Sequence, residues 1–414
     1  MTRPSSIRVQ GPALVLSGGG VRGAYEVGVV AGILDALGPR YRSPFRIFAG
    51  TSVGAINSTF FAANSHRADL GVDELRKLWN LDISKFLKIE PLGLFESPRL
   101  VADKVLRFFG KTPGERGIGR SLLNARPLEN LVKDGIDFEQ LHQNVDGGEF
   151  SALAVAALEI GTGRTTIFVE HGPETLFRAS VDPRRIPRSE RITADHVLGS
   201  CALPMLYPAR RVGEHYYVDG GIRFNTPIAP AIRAGADRIV VVAPSSPPTV
   251  PPAESVLTGR NDRTDDYPSL PFLLGKLLNA LLLDPLTYDL KVLERFNALF
   301  EILDKTLEPE VLSHVQDLLL DTRGASYRKI DSLVFRPSRD LSQMAALYVA
   351  NELDGSSMGP ATRWLLGKAS RTRVAAGSDL ASYLLFDGKF IGRLIDLGYK
   401  DALGRADEIR AFFA

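Results

Sequence analysis

Residues 45–57 constrain this chain more than any other stretch. An apolar run, Phe45-Arg46-Ile47-Phe48-Ala49, passes through Gly50-Thr51-Ser52-Val53-Gly54 into Ala55-Ile56-Asn57. A strand that enters a helix through a five-residue turn with glycine at both ends has the pattern of a nucleophile elbow, with Ser52 at its apex. The apex residue of such a turn is held in strained backbone geometry, and its neighbours two positions away must be nearly side-chain-free. The helix that starts behind it adds a positive dipole end near any developing oxyanion. Gly-x-Ser-x-Gly also arises by chance, and an ordinary glycine turn fits these five residues equally well.

Upstream, Pro12-Ala-Leu-Val-Leu-Ser17 reads as a short buried strand that runs into Gly18-Gly19-Gly20-Val21-Arg22-Gly23. Ala24, Val27, Ala31, Leu34 and Leu37 then recur at helical spacing, and Gly38-Pro39 ends the run. Strand, glycine loop, helix, strand, elbow, helix is the signature of a parallel sheet covered by helices. The predicted fold class is therefore α/β, with both loops at the carboxyl ends of their strands, where such folds place their sites.

The glycine loop has three readings. Its spacing fits the dinucleotide fingerprint Gly-x-Gly-x-x-Gly, but the next strand ends in Ala49-Gly50 rather than in a ribose-binding carboxylate, and Asp35 falls within the intervening helix. Gly110-Lys111-Thr112 resembles the tail of a Walker loop, but Val105 stands where its first glycine belongs. The third reading is an oxyanion hole, in which side-chain-free residues let backbone N–H groups converge on a carbonyl oxygen. One such donor is worth about 2.7–4 kcal/mol of transition-state stabilisation. Arg22 would hold the loop in shape, attract an anionic substrate, or simply stand exposed.

A length of 414 residues suggests two to three domain-sized units or one large α/β unit. A net charge of +2 gives no push toward nucleic acid. The single cysteine, Cys201, rules out an internal disulfide and reads as a small buried residue. No apolar run of signal-peptide length precedes Pro12, and no apolar segment is long enough to span a bilayer, so a soluble cytoplasmic protein is expected, peripheral to membrane. No His-Glu-x-x-His or clustered-cysteine pattern calls for a metal, and nothing requires a cofactor.

Between the two halves of the pattern, residues around Glu74, Leu75, Leu78 and Trp79 predict a helix, and residues 110–121 a glycine-rich surface loop. Arg126-Pro127-Leu128 opens another helix, and alternation around Gly161-Thr162-Gly163 predicts a hairpin. Arg184, Arg185, Arg188 and Arg191 form a basic cluster, either a solvated face or a contact for anionic headgroups. A helix over residues 194–202 stops at Pro204, and strands at residues 207–212 and 215–218 flank Gly213-Glu214. The second strand delivers Asp219-Gly220-Gly221, where the aspartate caps a turn or serves as base for Ser52.

Four blocks in this order, Gly18–Gly23, Gly50–Gly54, Ser200-Cys-Ala-Leu-Pro204 with Tyr207-Pro208, and Asp219–Gly221, resemble those of the patatin-like phospholipases, a family of serine lipid acyl hydrolases. The resemblance covers residues 12 to 243. It implies a patatin-like sandwich with Ser52 as nucleophile, Asp219 as its dyad partner, and Gly18, Gly19, Gly20, Val21, Arg22 and Gly23 as the oxyanion hole. Gly50, Thr51, Val53 and Gly54 would shape the elbow. The implied reaction is cleavage of lipid acyl esters, phospholipid or lysophospholipid, through an acyl-enzyme. A catalytically weak lipid-binding or scaffold protein on the same fold is the alternative. No histidine follows Asp219 in a comparable turn: His314 reads as part of an ordinary helix, and His196 and His215 precede the acid.

The expected organisation is a catalytic domain over residues 1–243, a proline-rich linker or exposed loop over 244–272, and a mainly helical region over 273–414 that packs on the core. Leu273, Leu274, Leu277, Leu278, Leu281 and Leu282 form an apolar stripe that packs on that core or touches lipid. Leu293, Phe296, Phe300 and Leu303 form another, Ser332-Leu-Val-Phe335 is placed to return to the sheet, and a last amphipathic helix carries Phe390, Ile391, Leu394 and Ile395.

Overall fold

The computed structural model describes residues 10–39, 42–67, 79, 125–175, 177, 182–204, 206–245, 273, 275–276, 279, 286–323, 328–352 and 379–414. The predicted helix before Trp79, the 110–121 loop, nearly all of 244–272 and most of the 273–283 stripe lie outside these residues.

Strand β1 (Gly11–Leu16) leads through a tight turn at Gly20–Arg22 into helix α1 (Gly23–Leu37), and β2 (Ile47–Thr51) enters α2 (Val53–Ala63) at once. Both strands are covered on both faces, which is why their sequences are continuous apolar runs and do not alternate. Helix α3 (Arg126–Gly135) carries Pro127 in its first turn, where a missing N–H leaves no bond unmade. Asp137 caps α4 (Phe138–Asp146) by accepting from Gln140 N at 2.9 Å. The predicted hairpin is β3 (Ala152–Glu159) and β4 (Thr165–His171), followed by β5 (Arg185–Ser189), α5 (Ala194–Ser200), β6 (Arg210–Val212), β7 (His215–Asp219), α6 (Ile228–Arg233) and β8 (Ala236–Val242). Then come α7 (Leu286–Thr306), α8 (Pro309–Arg323), β9 (Asp331–Phe335), α9 (Leu341–Glu352), α10 (Asp379–Leu384), α11 (Gly388–Leu403) and α12 (Ala406–Phe413).

The strands form one sheet in the order β5-β4-β3-β2-β1-β8-β9, with β7 paired to β3 and carrying β6. Neighbours from β3 through β2, β1 and β8 to β9 run parallel, as do β4 and β5, while β3–β4, β3–β7 and β6–β7 are antiparallel. The register positions the site: Thr51 on β2 lies opposite Ala156, and the next residue, Ala157, lies opposite Asp219 on β7. Ser332–Phe335 does return to the sheet, as part of β9 beside β8.

One sheet face, with Leu14, Leu16, Phe48 and Val240, packs against α1 and α2, while the other, with Ala13, Val15, Ile47 and Val241, is covered by α6 and α7. The last predicted helix is α11, which docks on α1 through a glycine seam. A Cβ at Gly28 would stand 1.9 Å from Ile395 O, and one at Gly398 2.2 Å from Tyr25 O, so the two backbones touch.

The arginine cluster takes a form the sequence pattern did not suggest. Residues 185–189 are a strand with Pro187 inside it, tolerated because β5 lies at the sheet edge. Arg184 and Arg185 meet Asp182, and Arg191 meets Glu170 and Asp146 at 2.9 and 2.7 Å, so carboxylates answer these three charges in place.

Candidate active site

Ser52 has φ 54° and ψ −128°, the one positive φ outside glycine among the described residues. The flanking glycines are imposed by contact: a Cβ on Gly50 would stand 2.1 Å from Gly54 O, and one on Gly54 2.3 Å from Leu16 O. Only side-chain-free residues let β2, α2 and β1 converge so closely. The preceding Thr51 ties the turn to a neighbouring loop, its Oγ1 donating to Phe224 O at 3.0 Å.

The Ser52 hydroxyl donates to Asp219 Oδ2 at 2.6 Å, and Asp219 Oδ1 accepts from Gly221 N at 2.7 Å. Gly220 is required here too, since its Cβ would lie 2.3 Å from Ala156 O. Asp219 is 2% exposed. Burial pushes its carboxyl up to about 6, against the opposing pull of the Ser52 and Gly221 hydrogen bonds. No histidine stands between the two: His196 Nδ1 bonds Thr193, and His215 pairs with Glu159 at 2.7 Å.

The glycine loop lies beside this pair. Gly18 N donates to Asn225 O, and Asn225 Nδ2 to Gly18 O, each at 3.3 Å. A Cβ on Gly18 would stand 2.4 Å from Asn225 Oδ1, and Gly20 adopts φ +58° with Tyr383 O packed against it. Arg22 N and Gly23 N close the turn onto Gly19 O and Gly20 O. Among the described residues, the N–H groups of Gly19, Gly20 and Val21 have no acceptor.

The Arg22 side chain is 5% exposed and faces away from solvent. It donates to Ser382 Oγ at 3.1 Å and to Ser342 Oγ at 2.9 Å, and its guanidinium lies 4.0 Å from the centre of the Tyr383 ring. Of the three readings of this arginine, holding the loop in shape is therefore the one the contacts match.

Over Ser52 and Gly20 opens a pocket of about 510 Å³, mouth included, lined by Val53, Ile56, Trp79, Leu128, Leu131, Cys201, Tyr207 and Phe386. Its walls are almost wholly apolar, suited to a hydrocarbon chain and not to a nucleotide.

Two residues that sequence reasoning gave no role hold the elbow. Ser200 Oγ accepts from Ser52 N at 2.9 Å and donates to Ala156 O at 2.6 Å, while Cys201 Sγ donates to Ser52 O at 3.0 Å. The end of α5 thus grips both backbone polar groups of the strained residue. Burial, and next the Asp219 charge, push the Cys201 thiol up, which keeps it a neutral donor. The only signal for this grip was the position of these residues within a family block.

Fold and site together define an α/β protein built around a strand–serine–helix elbow with a buried carboxylate on its hydroxyl. The sequence profile of the patatin-like phospholipases matches residues 14–232, more than half the chain, and the chain belongs to that family, whose class is lipid acyl hydrolase. No curated protein matches the sequence. Among solved structures, VipD from Legionella pneumophila is 13% identical with a TM-score of 0.35, over 97% of this chain and 67% of that one. Human GIVD cytosolic phospholipase A2, in complex with methyl gamma-linolenyl fluorophosphonate, is 10% identical with a TM-score of 0.37, over 100% of this chain and 60% of that one. The chain thus spans 67% and 60% of the lengths of these two proteins. Among the described residues, no helix is long and apolar enough to cross a membrane.

Proposed function

We propose that this protein hydrolyses acyl esters of phospholipids or lysophospholipids with a Ser52–Asp219 dyad, acting on substrate presented at a lipid surface. The observation that carries the reading is the 2.6 Å hydrogen bond from Ser52 Oγ to Asp219 beneath an apolar pocket. In this scheme Ser52 Oγ attacks the ester carbonyl carbon while its proton passes to Asp219 Oδ2. A carboxyl at about 6 is ionised at neutral pH yet more basic than a free aspartate at 3.8, which suits it to take that proton. The oxyanion is received by the N–H groups of Gly19, Gly20 and Val21. Collapse returns the proton from Asp219 to the leaving alcohol. Water then attacks the acyl-enzyme, again giving its proton to Asp219, and the fatty acid leaves as Ser52 regains its hydrogen.

Because both residues serve one step, Ser52→Ala, Asp219→Asn and the double variant should fall to a similar residual rate on a panel of phospholipids, lysophospholipids and neutral glycerides. Near-full hydrolysis by Asp219→Asn would remove the aspartate from the mechanism. Wild-type protein that binds the panel without turnover would favour the lipid-binding alternative.

A further inference from the structure

Asn57 lies in the second turn of α2, the helix behind Ser52, and is wholly buried. Asparagine is a poor helix former because its side chain competes for nearby backbone groups, yet this one bonds only outside its own helix. Its Nδ2 donates to Gly23 O at 3.1 Å and to Glu26 Oε2 at 2.8 Å, and its Oδ1 accepts from Trp79 Nε1 at 3.1 Å. Both amide hydrogens are thereby used. The amide fits only one way round, since Gly23 O only accepts and an indole N–H only donates. Glu26, in the first turn of α1, is wholly buried too, so it offers Asn57 a fixed partner. Trp79 is 6% exposed and lines the apolar pocket with Ser52 and Gly20. Gly23 ends the glycine loop and is pressed against the elbow: a Cβ there would stand 2.4 Å from Val53 Cγ2. One amide therefore joins the elbow helix, the end of the glycine loop and a wall of the pocket.

We propose that Asn57 is a positioning residue that couples acyl-chain contact at Trp79 to the set of the glycine loop at Gly23, so that chain length is read in kcat and not only in KM. The link to turnover rests on the hydrolase reading above. A chain that presses on the indole bears on its bond to Asn57, and Asn57 in turn holds the carbonyl at the end of the loop whose Gly19, Gly20 and Val21 N–H groups face the reacting ester. An acyl group too short to reach the indole leaves that route unused. A wall that merely makes room for the chain would change KM alone.

The test uses the full chain with p-nitrophenyl acetate, octanoate and laurate, and thermal unfolding as the check on folding. Trp79→Phe keeps an aromatic wall without the N–H, and should lower kcat on laurate roughly tenfold while sparing acetate. Asn57→Asp keeps an acceptor for Trp79 and loses both donors, so kcat should fall roughly tenfold on every ester with KM little changed. Equal losses for Trp79→Phe on acetate and laurate, a laurate effect confined to KM, or full kcat in Asn57→Asp overturns the proposal. A buried aspartate beside Glu26 can prevent folding, and in that event Trp79→Phe decides. A second readout needs no turnover, because 1-O-dodecyl-glycerophosphocholine has an ether in place of the ester. At saturation it should slow amide exchange over residues 18–23 in the wild type, whereas glycerophosphocholine, which lacks the chain, should not. Trp79→Phe saturated with the same ether should lose that slowing. Slowing that persists in Trp79→Phe, or its absence from the wild type, overturns the proposal. This result stands whether or not Ser52 is the nucleophile, so wild-type protein that cleaves no ester refutes the hydrolase reading alone.

Discussion

Replacing Asp219 by asparagine should make the protein more stable at neutral pH even as it stops turnover. The carboxyl is buried and displaced from 3.8 to about 6. At about 1.36 kcal/mol per pH unit, that displacement corresponds to roughly 3 kcal/mol. Below pH 3.8 the group is protonated in both the folded and the unfolded chain and exacts no penalty. Between 3.8 and about 6 the unfolded chain releases its proton first, so wild-type stability falls as pH rises, and above about 6 the penalty is constant. Asparagine never ionises and keeps the shape of the group, with an oxygen for Gly221 N and an amide that donates to Ser52 Oγ instead of accepting from it. Urea unfolding followed by tryptophan fluorescence should give a variant-minus-wild-type difference that grows by about 3 kcal/mol from pH 3 to pH 7 and then levels off. A difference that is flat with pH, or that shrinks, would refute the claim that this carboxylate is held ionised against its surroundings. The same group predicts hydrolysis that rises with pH through about 6, because only the ionised form accepts the serine proton.

Ser200→Ala leaves Ser52 N–H buried without its acceptor, and should lower stability by about 1–3 kcal/mol on denaturant titration and reduce kcat more than it raises KM. Ser382→Ala loosens the Arg22 anchor, and a kcat loss of roughly tenfold with little change in KM is expected, whereas a pure KM effect would contradict a role in holding the glycine loop. Gly398→Ala forces a methyl to within 2.2 Å of Tyr25 O and should destabilise by about 1–3 kcal/mol or more in the same titration. Esterase activity should survive chelators and vanish on treatment with serine-directed phosphonates; loss on chelation, restored by zinc or calcium, would contradict it.

What the sequence disclosed follows from which constraints leave a local mark. Gly50, Gly54 and Gly18 are fixed by atoms 2.1 to 2.4 Å from where a Cβ would be, so the elbow and the loop are written as glycines at set spacing. Helix α11 was legible because its buried face repeats at the helical period. Ser200, Ser342 and Ser382 were not, because a serine that meets its partner 148, 320 or 360 residues away looks like any other serine. Strand β5 was hidden because its arginines and proline carry a polar pattern, and only pairing along β4 makes it a strand. Asp219 lay between: its strand end and glycines were visible, but its place beside Ser52 depends on the Ala157–Asp219 register across β3.

The anchor of Arg22 on Ser382 also sets a clock. During synthesis at about 5–20 residues per second, roughly 20–70 seconds separate the arginine's emergence from that of the serine that holds it. Until that serine emerges, the glycine loop lacks the contacts from α9 and α10 that hold the Arg22 side chain. If Ser52 acts as proposed, a ribosome bearing the unfinished chain would carry it beside a glycine loop that has not yet received this anchor.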